Sequence, residues 1–193
     1  MTTQTQPFQT LSPWLGVGAP CPPMWQSITE HEVMILVGLT GVGKTTTVEA
    51  LTATGLTFAN LPNRRIITDH LIIGWLQAQD GQPIETVRDR TERFDYTRRY
   101  RQIFAGGMAH ALSQLWVNPQ ELPTPHLLFD GLRGENEVKY AAELLPNAFF
   151  IVLDAPNDVR IQRLLGRDDS FDQVETSPSA VSDSDTLKQL SDL

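Results

Sequence analysis

The feature that most constrains the fold is a strand, a glycine-rich turn and a helix in immediate succession. Val33–Val37 is a continuous apolar run, typical of a central parallel strand that helices cover on both faces. The turn spans residues 38–43, and a helical pattern follows from Lys44 to about Ala53, ending before Gly55. This succession predicts an α/β fold built around a parallel strand.

The turn also carries a phosphate-binding pattern, because residues 38–45 satisfy the Walker A sequence GxxxxGK[ST]. Glycines let successive backbone N–H groups point at a phosphate, and the N-terminal end of the helix adds positive potential. We expect Lys44 to reach the β- and γ-phosphates of ATP, Thr45 to bind Mg²⁺ and Thr46 to donate to the α-phosphate. The alternative, an accidental glycine turn, is disfavoured because the required strand and helix flank it. The predicted nucleotide-binding residues are Gly38, Thr40, Gly41, Val42, Gly43, Lys44, Thr45 and Thr46.

Apolar runs and helical patterns alternate along the rest of the chain. The further predicted elements are buried strands at 126–130 and 149–153 and helices at 84–116, 135–145 and 157–165. Residues 65–69 fit either a second strand or the start of a helix that runs into residues 71–76. Strands that alternate with helices imply parallel pairing, so we predict a three-layer α/β sandwich with a mostly parallel sheet, the P-loop nucleoside triphosphate hydrolase fold.

Charge and proline content divide the 193 residues into one domain and two flanking segments. Residues 1–29 contain five prolines and no charged side chain, and we expect an extended leader, loosely docked on the domain. Residues 30–173 form the predicted domain. Residues 174–193 are rich in Ser and Asp and are expected to be disordered or a frayed helix.

The net charge of −8 argues against nucleic acid as a partner. Most of it lies near the end of the chain, since residues 30–167 hold 16 acids and 14 bases. The chain has a single cysteine, Cys21, no signal peptide and no run of about 18 apolar residues. We therefore expect a cytoplasmic protein that binds small molecules and does not enter a membrane.

Asp130 follows the apolar run of the strand at 126–130, where a Walker B carboxylate would hold Mg²⁺ directly or through water. The alternative is a cap for the next helix. A phosphate loop alone does not distinguish a kinase, a GTPase and a mechanical ATPase. No Asn-Lys-x-Asp run follows, and the chain is short for a mechanical ATPase with its lid domain. We therefore favour a small-molecule kinase, with a regulatory or switch ATPase that acts through a partner as the alternative.

Two further stretches carry a family likeness: residues 130–138 read DGLRGENEV and residues 151–167 read IVLDAPNDVRIQRLLGR. Together with the Walker A loop they resemble the P-loop nucleotide kinases over about residues 32–172, the dephospho-coenzyme A and deoxynucleoside monophosphate kinases above all. The resemblance implies a lid whose arginines close over the transferring phosphoryl group, with Arg163 and Arg167 as catalytic candidates. Guanidinium groups stabilise the charge of that transition state. The alternative is a solvated helix face.

Candidates for the acceptor site lie between these stretches. Asp69 is a candidate base or orienting group for an acceptor hydroxyl, which an already ionised phosphate acceptor would not need. The alternative for Asp69 is a turn or cap residue. Arg90 and Arg93 belong to an arginine-rich run with interleaved aromatics that could bind an acceptor phosphate and stack a base, or form a hydrated helix face. Arg133 is a further substrate-binding candidate, or a partner of Glu137.

The resemblance also implies a fifth parallel strand after the lid, whose following loop helps to hold the adenine ring. We find no such strand after Asp172. Either the chain is truncated there, or the proline-rich leader replaces that packing, or the base is held loosely.

Overall fold

The computed structural model describes residues 6–165, which contain two four-stranded sheets and seven α-helices. In chain order the strands are β1 (Gln9–Ser12), β2 (Leu15–Val17), β3 (Gln26–Ser27), β4 (Val33–Val37), β5 (Ala59–Asn60), β6 (Leu115–Val117), β7 (Leu127–Leu132) and β8 (Ala148–Val152). The helices are α1 (Lys44–Ala53), α2 (Arg64–Ile67), α3 (Gly74–Gln79), α4 (Arg90–Ile103), α5 (Met108–Ser113), α6 (Glu135–Leu144) and α7 (Asn157–Leu165). A 3₁₀ turn lies at Ile28–Glu30, and a π-helical turn at Thr68–Ile73 joins α2 to α3.

One sheet is parallel, in the order β5-β7-β4-β8, and it confirms β4 as a central parallel strand. Ile35 lies opposite Phe129 of β7 on one side and Phe150 of β8 on the other. Val33 and Ile35 are fully buried, as the continuous apolar run requires. The predicted helices α1, α6 and α7 are confirmed with nearly the expected bounds, so the strand, loop and helix unit stands as the sequence indicated.

The last described strand departs from expectation. β8 was expected to be buried, but among residues 6–165 it is the outermost strand of the parallel sheet, and both Phe149 and Val152 are exposed. An apolar run marks β-propensity as well as burial, so an edge strand can carry the same pattern. The expected fifth-strand region after Asp172 and the tail at 174–193 lie outside the described residues.

The segment expected to be an extended, loosely docked leader is instead built into the molecule over its described part. β1, β2 and β3 form an antiparallel sheet with β6, in the order β1-β2-β6-β3. Leu15 and Val17 are buried in the same core as Val33. The strands are two to four residues long, and β6, the partner of β2 and β3, lies about 90 to 100 residues away, so neither periodicity nor local sequence signals the pairing with β6.

The single helix expected over residues 84–116 is two helices and a strand. α4 begins at Arg90, where the Asp89 carboxylate accepts from the backbone N–H of Glu92 at 2.8 Å. It ends before Phe104, and Gly107 adopts φ +51°, a conformation that L side chains rarely take. The chain therefore turns at this glycine, and β6 follows α5.

Residues 64–79 are helical throughout, which decides between the strand and helix alternatives for residues 65–69. The Asn63 side chain caps α2 by accepting from the N–H groups of Arg65 and Ile66 at 3.0 and 3.1 Å. In the π-helical turn, the Gly74 N–H bonds to the carbonyl of Asp69, five residues earlier. None of the helices among residues 6–165 has the length and apolar character needed to cross a membrane.

Candidate functional site

A cavity of about 550 Å³ opens between the glycine-rich loop and the helices α2 and α4. Thr40, Gly41, Lys44 and Thr45 line the loop side, together with Asp130 from β7. The lining also contains a group of side chains that we call the arginine wall: Arg64, Arg65, Arg90, Arg93, Arg101 and Arg133. The glycine-rich loop and many positively charged side chains thus line the same cavity.

The loop has the backbone shape of a phosphate cradle. Gly41 and Gly43 adopt φ +88° and +102°, and a Cβ added at Gly41 would lie 3.0 Å from the Arg160 carbonyl oxygen. Helix α1 begins at Lys44, and its N-cap Gly43 has no side chain to satisfy the first amides. Those amides and the positive end of the ten-residue helix suit an anion.

Lys44 lies folded over the loop. Its Nζ donates to the carbonyl oxygens of Gly38 at 2.7 Å and Leu39 at 3.2 Å. A phosphate that enters the cradle would therefore replace these two carbonyl oxygens as the hydrogen-bond acceptor of the Lys44 ammonium group.

Asp130 is half-buried and sits inside β7, the strand beside β4, rather than at its end. Its carboxylate and the Thr45 hydroxyl line the same cavity and are hard oxygen donors, the kind that Mg²⁺ takes along with nucleotide phosphates and water. Within residues 6–165 there is no cluster of three or more His, Cys, Asp or Glu side chains that could hold a metal alone. The residues present fit a magnesium ion shared with a nucleotide.

Glu137 of α6 fastens one part of the arginine wall. Its carboxylate accepts a bidentate pair of hydrogen bonds from Arg64, at 2.7 and 2.5 Å, and a third from the Arg133 backbone N–H at 3.2 Å. Arg64 also donates to the Gly131 carbonyl at 2.8 Å. This network ties α2 and α6 to the end of β7, beside Asp130. The sequence-based reasoning missed Arg64, whose partner lies 73 residues away.

Asp69 and Arg93 form a second fixed unit. The Arg93 guanidinium forms a salt bridge with the Asp69 carboxylate and donates to the Val87 carbonyl at 2.8 Å. Arg93 lines the cavity, whereas Asp69 is placed behind it as its partner. Nearby, the Arg90 guanidinium lies 5.7 Å from the centre of the exposed Phe94 ring, which also faces the cavity.

The arginines of α7 contact the loop rather than the cavity. Arg163 donates to the Gly41 carbonyl at 3.0 Å, and Arg160 donates to the Thr40 carbonyl at 3.3 Å. Arg160 also donates to the Asn157 side chain at 3.0 Å. In this arrangement the helix supports the loop through its carbonyl groups.

The cavity brings together many, though not all, of the predicted site residues. Those that line it are Thr40, Gly41, Lys44, Thr45, Arg90, Arg93, Asp130 and Arg133. Those that belong to the same loop, first helical turn or supporting contacts without lining it are Gly38, Val42, Gly43, Thr46, Asp69 and Arg163. Arg167 lies outside the described residues.

An aromatic cluster joins α4 to α5 beside the turn that reaches the cavity at Gly107. The Tyr100 hydroxyl lies 2.8 Å from Nδ1 of His110, and the Phe104 ring stacks on the His110 ring with centroids 3.9 Å apart. Burial raises the pKa of Tyr100 and lowers the pKa of His110, so both groups are neutral near pH 7. The turn between α4 and α5, which reaches the cavity at Gly107, is thereby packed against an uncharged cluster.

A parallel sheet whose central strand leads through a glycine cradle into a helix, with a carboxylate on the adjacent strand, defines a P-loop NTPase. A comparison with protein families matches residues 34–180 to a family described as an AAA domain, and the chain belongs to that family. This places it in the P-loop NTPase superfamily, whose members bind nucleotides. A search of the curated proteins finds no match.

Proposed function

We propose that the chain is an ATP- and Mg²⁺-dependent phosphotransferase that moves the γ-phosphoryl group of ATP to a small-molecule acceptor. The observation that carries this proposal is the single cavity shared by the Walker A loop and the arginine wall. A nucleotide hydrolase needs a positioned water beside the bound nucleotide, whereas a kinase also needs a second binding surface for the acceptor that faces the transferred group. The three-layer arrangement and the closer likeness to dephospho-coenzyme A or deoxynucleoside monophosphate kinases stay predictions.

On the donor side, Lys44 would bind the β- and γ-phosphates after leaving the Gly38 and Leu39 carbonyls. Thr45 and Asp130 would hold Mg²⁺, which when bound neutralises charge that builds up on the phosphate oxygens. We propose that Arg163 contributes by supporting the loop through Gly41, and that Arg167 helps to close the site.

On the acceptor side, the arginine wall favours an acceptor that carries its own negative charge, such as a phosphate group. Arg90, Arg93 and Arg133 are the proposed contacts. An ionised phosphate oxygen can attack without a base, which agrees with an Asp69 carboxylate engaged by Arg93. The exposed face of Phe94 offers a place for a planar ring.

A regulatory ATPase that acts through a partner is the second candidate. The observation in its favour is the exposed apolar surface of Phe149 and Val152 on β8 and Ile161 and Leu165 on α7, the helix that contacts the loop. A partner on this surface would touch the element that supports the nucleotide site.

Product analysis separates the two candidates. Purified protein with Mg-ATP is incubated with matched pairs of phosphorylated and unphosphorylated acceptors, and products are resolved by chromatography and mass spectrometry. The kinase predicts a new phosphorylated product with at least one phosphorylated acceptor, lost in Lys44→Ala and retained in the control Lys139→Ala, whose exposed side chain pairs with Glu135 on α6. ATP turnover that no acceptor changes would favour the regulatory ATPase.

A further inference from the structure

We propose that Gln6 is a positioning residue for the arginine wall, because its side chain holds the helical turn that presents Asp69 to Arg93. This inference rests on the proposed acceptor role of Arg93. It gives the N-terminal segment a part in the site, although Gln6 lies 63 residues before Asp69 in the chain and does not line the cavity.

The Gln6 side chain is buried and contacts the backbone of the π-helical turn. Gln6 is only 4% exposed, and its Nε2 donates to the His70 carbonyl at 2.9 Å. The same nitrogen would lie 3.4 Å from a Cβ added at Gly74, so the side chain fits closely against the turn. A buried amide in this position is placed to bond the backbone of the turn rather than water.

Gln6 meets the π-helical turn at one of the turn's backbone carbonyl groups. In a regular α-helix the Gly74 N–H would bond to the carbonyl of His70, but here it bonds to that of Asp69. The His70 carbonyl instead accepts from Gln6. The π-helical turn leaves the His70 carbonyl without its α-helical donor, and the Gln6 amide takes the place of that donor. This hydrogen bond therefore favours the π-helical form of the turn over the α-helical one.

Asp69 and Arg93 connect the π-helical turn to the cavity. Asp69 lies in the turn, and its carboxylate holds the guanidinium of Arg93, which lines the cavity. Adding or removing the extra residue of a π-helical turn rotates the neighbouring side chains about the helix axis by roughly 100° per residue. A relaxation of the turn would therefore move Asp69 away from Arg93.

Gln6 is itself anchored to the antiparallel sheet. Its carbonyl accepts from the Ala19 N–H at 2.9 Å, and the adjacent Gly18 carbonyl accepts from the Trp116 indole at 3.1 Å. Because Trp116 belongs to β6, the contact on His70 is linked to the antiparallel sheet. The N-terminal strands thus act as a support for the acceptor side of the cavity.

The test measures how readily Arg93 reacts with phenylglyoxal, an arginine-specific reagent, by peptide mass spectrometry on the full chain. Gln6→Met keeps the length of the side chain but removes the donor, and we expect it to raise the Arg93 labelling rate by roughly two- to tenfold, the range for one net hydrogen bond. Asp69→Ala should raise it at least as much. Arg98, an exposed residue on α4, is the internal reference, and Gln9→Met, at an exposed position of β1, is the matched control.

A double-mutant cycle excludes a merely structural role. If Gln6 acts through Asp69, then adding Gln6→Met to Asp69→Ala should raise Arg93 labelling no further. The inference would be overturned if Asp69→Ala raises the Arg93 labelling rate while Gln6→Met leaves it at the wild-type value. Additive effects of the two substitutions, or an equal rise in labelling at Arg98, would also overturn it. Gln6→Ala serves as the second variant if Gln6→Met does not fold. The labelling needs no acceptor, so its outcome is independent of the product analysis that tests the kinase.

Discussion

The Glu137 network allows the sharpest test of how the site is held together. Glu137→Ala removes one carboxylate that accepts three hydrogen bonds, two from Arg64 and one from the Arg133 backbone. Arg64 then retains only the Gly131 carbonyl among the partners described above. A positively charged group is left half-buried beside a cavity that already holds five other arginines.

The expected cost follows from burial. Breaking a fully buried ion pair costs about 3–5 kcal/mol, whereas exposed pairs contribute about 0–1 kcal/mol. The side chains of Arg64 and Glu137 are 29% and 16% exposed, which lies between these limits. We therefore expect Glu137→Ala to lower the free energy of unfolding by about 2 kcal/mol, or Tm by roughly 4–8 °C for a chain of this size.

Urea denaturation followed by circular dichroism measures this loss as a lower midpoint at unchanged m-value. The matched control is Glu135→Ala on the same helix, whose partner Lys139 is 66% exposed, and its expected loss is below about 0.5 kcal/mol. Equal losses for the two variants would refute the reasoning, because they would mean that the Arg64 contact adds nothing beyond helix propensity.

The other predictions concern the loop, the turn and the aromatic cluster. Lys44→Ala should abolish Mg-ATP binding in a calorimetric titration while the melting temperature without nucleotide changes little; unchanged affinity would count against the Walker A assignment. Gly107→Ala should cost about 1–3 kcal/mol in urea denaturation, because φ there is +51° and the new Cβ would meet Arg101 at 3.1 Å; a neutral result would contradict this account of the turn. Burial lowers the pKa of His110 in the folded protein, so the unfolded chain binds this proton at a higher pH than the folded chain does. The free energy of unfolding should therefore decrease as the pH falls below about 6.5. His110→Phe should weaken this decline between about pH 7.5 and pH 5.5, and identical pH profiles for wild type and variant would contradict the argument.

The parts of the fold that the sequence predicted are those with local signals. A buried strand, a glycine turn and a helix stand next to each other in the chain, so β4, the loop and α1 could be located from 21 consecutive residues. The adjacent glycines Gly106 and Gly107, by contrast, did not by themselves show that α4 stops, because helix propensity counts each glycine as a cost of only about 1 kcal/mol. The N-terminal strands were not predicted, since their pairing depends on β6.

The same distinction holds in the site. The residue types of the loop indicated its place, because the chemistry of phosphate binding fixes their spacing, and Asp130 was inferred from the apolar run that precedes it. Arg64 and the pairing of Asp69 with Arg93 depend on contacts between residues 24 to 73 positions apart, which a single sequence does not specify. Arg163 was expected over the transferred group, whereas its described contact is the Gly41 carbonyl.

That contact has a practical use. Leu165, at the last described turn of α7, points largely into solvent, while Arg163 two residues earlier touches the backbone of the nucleotide loop. A fluorescent dye attached through Leu165→Cys, in a chain whose native Cys21 is replaced by Ser, would sit about half a helical turn from a hydrogen bond to that loop. Its emission should then change when nucleotide is loaded, giving an optical sensor of occupancy that requires neither a known acceptor nor a radioactive label.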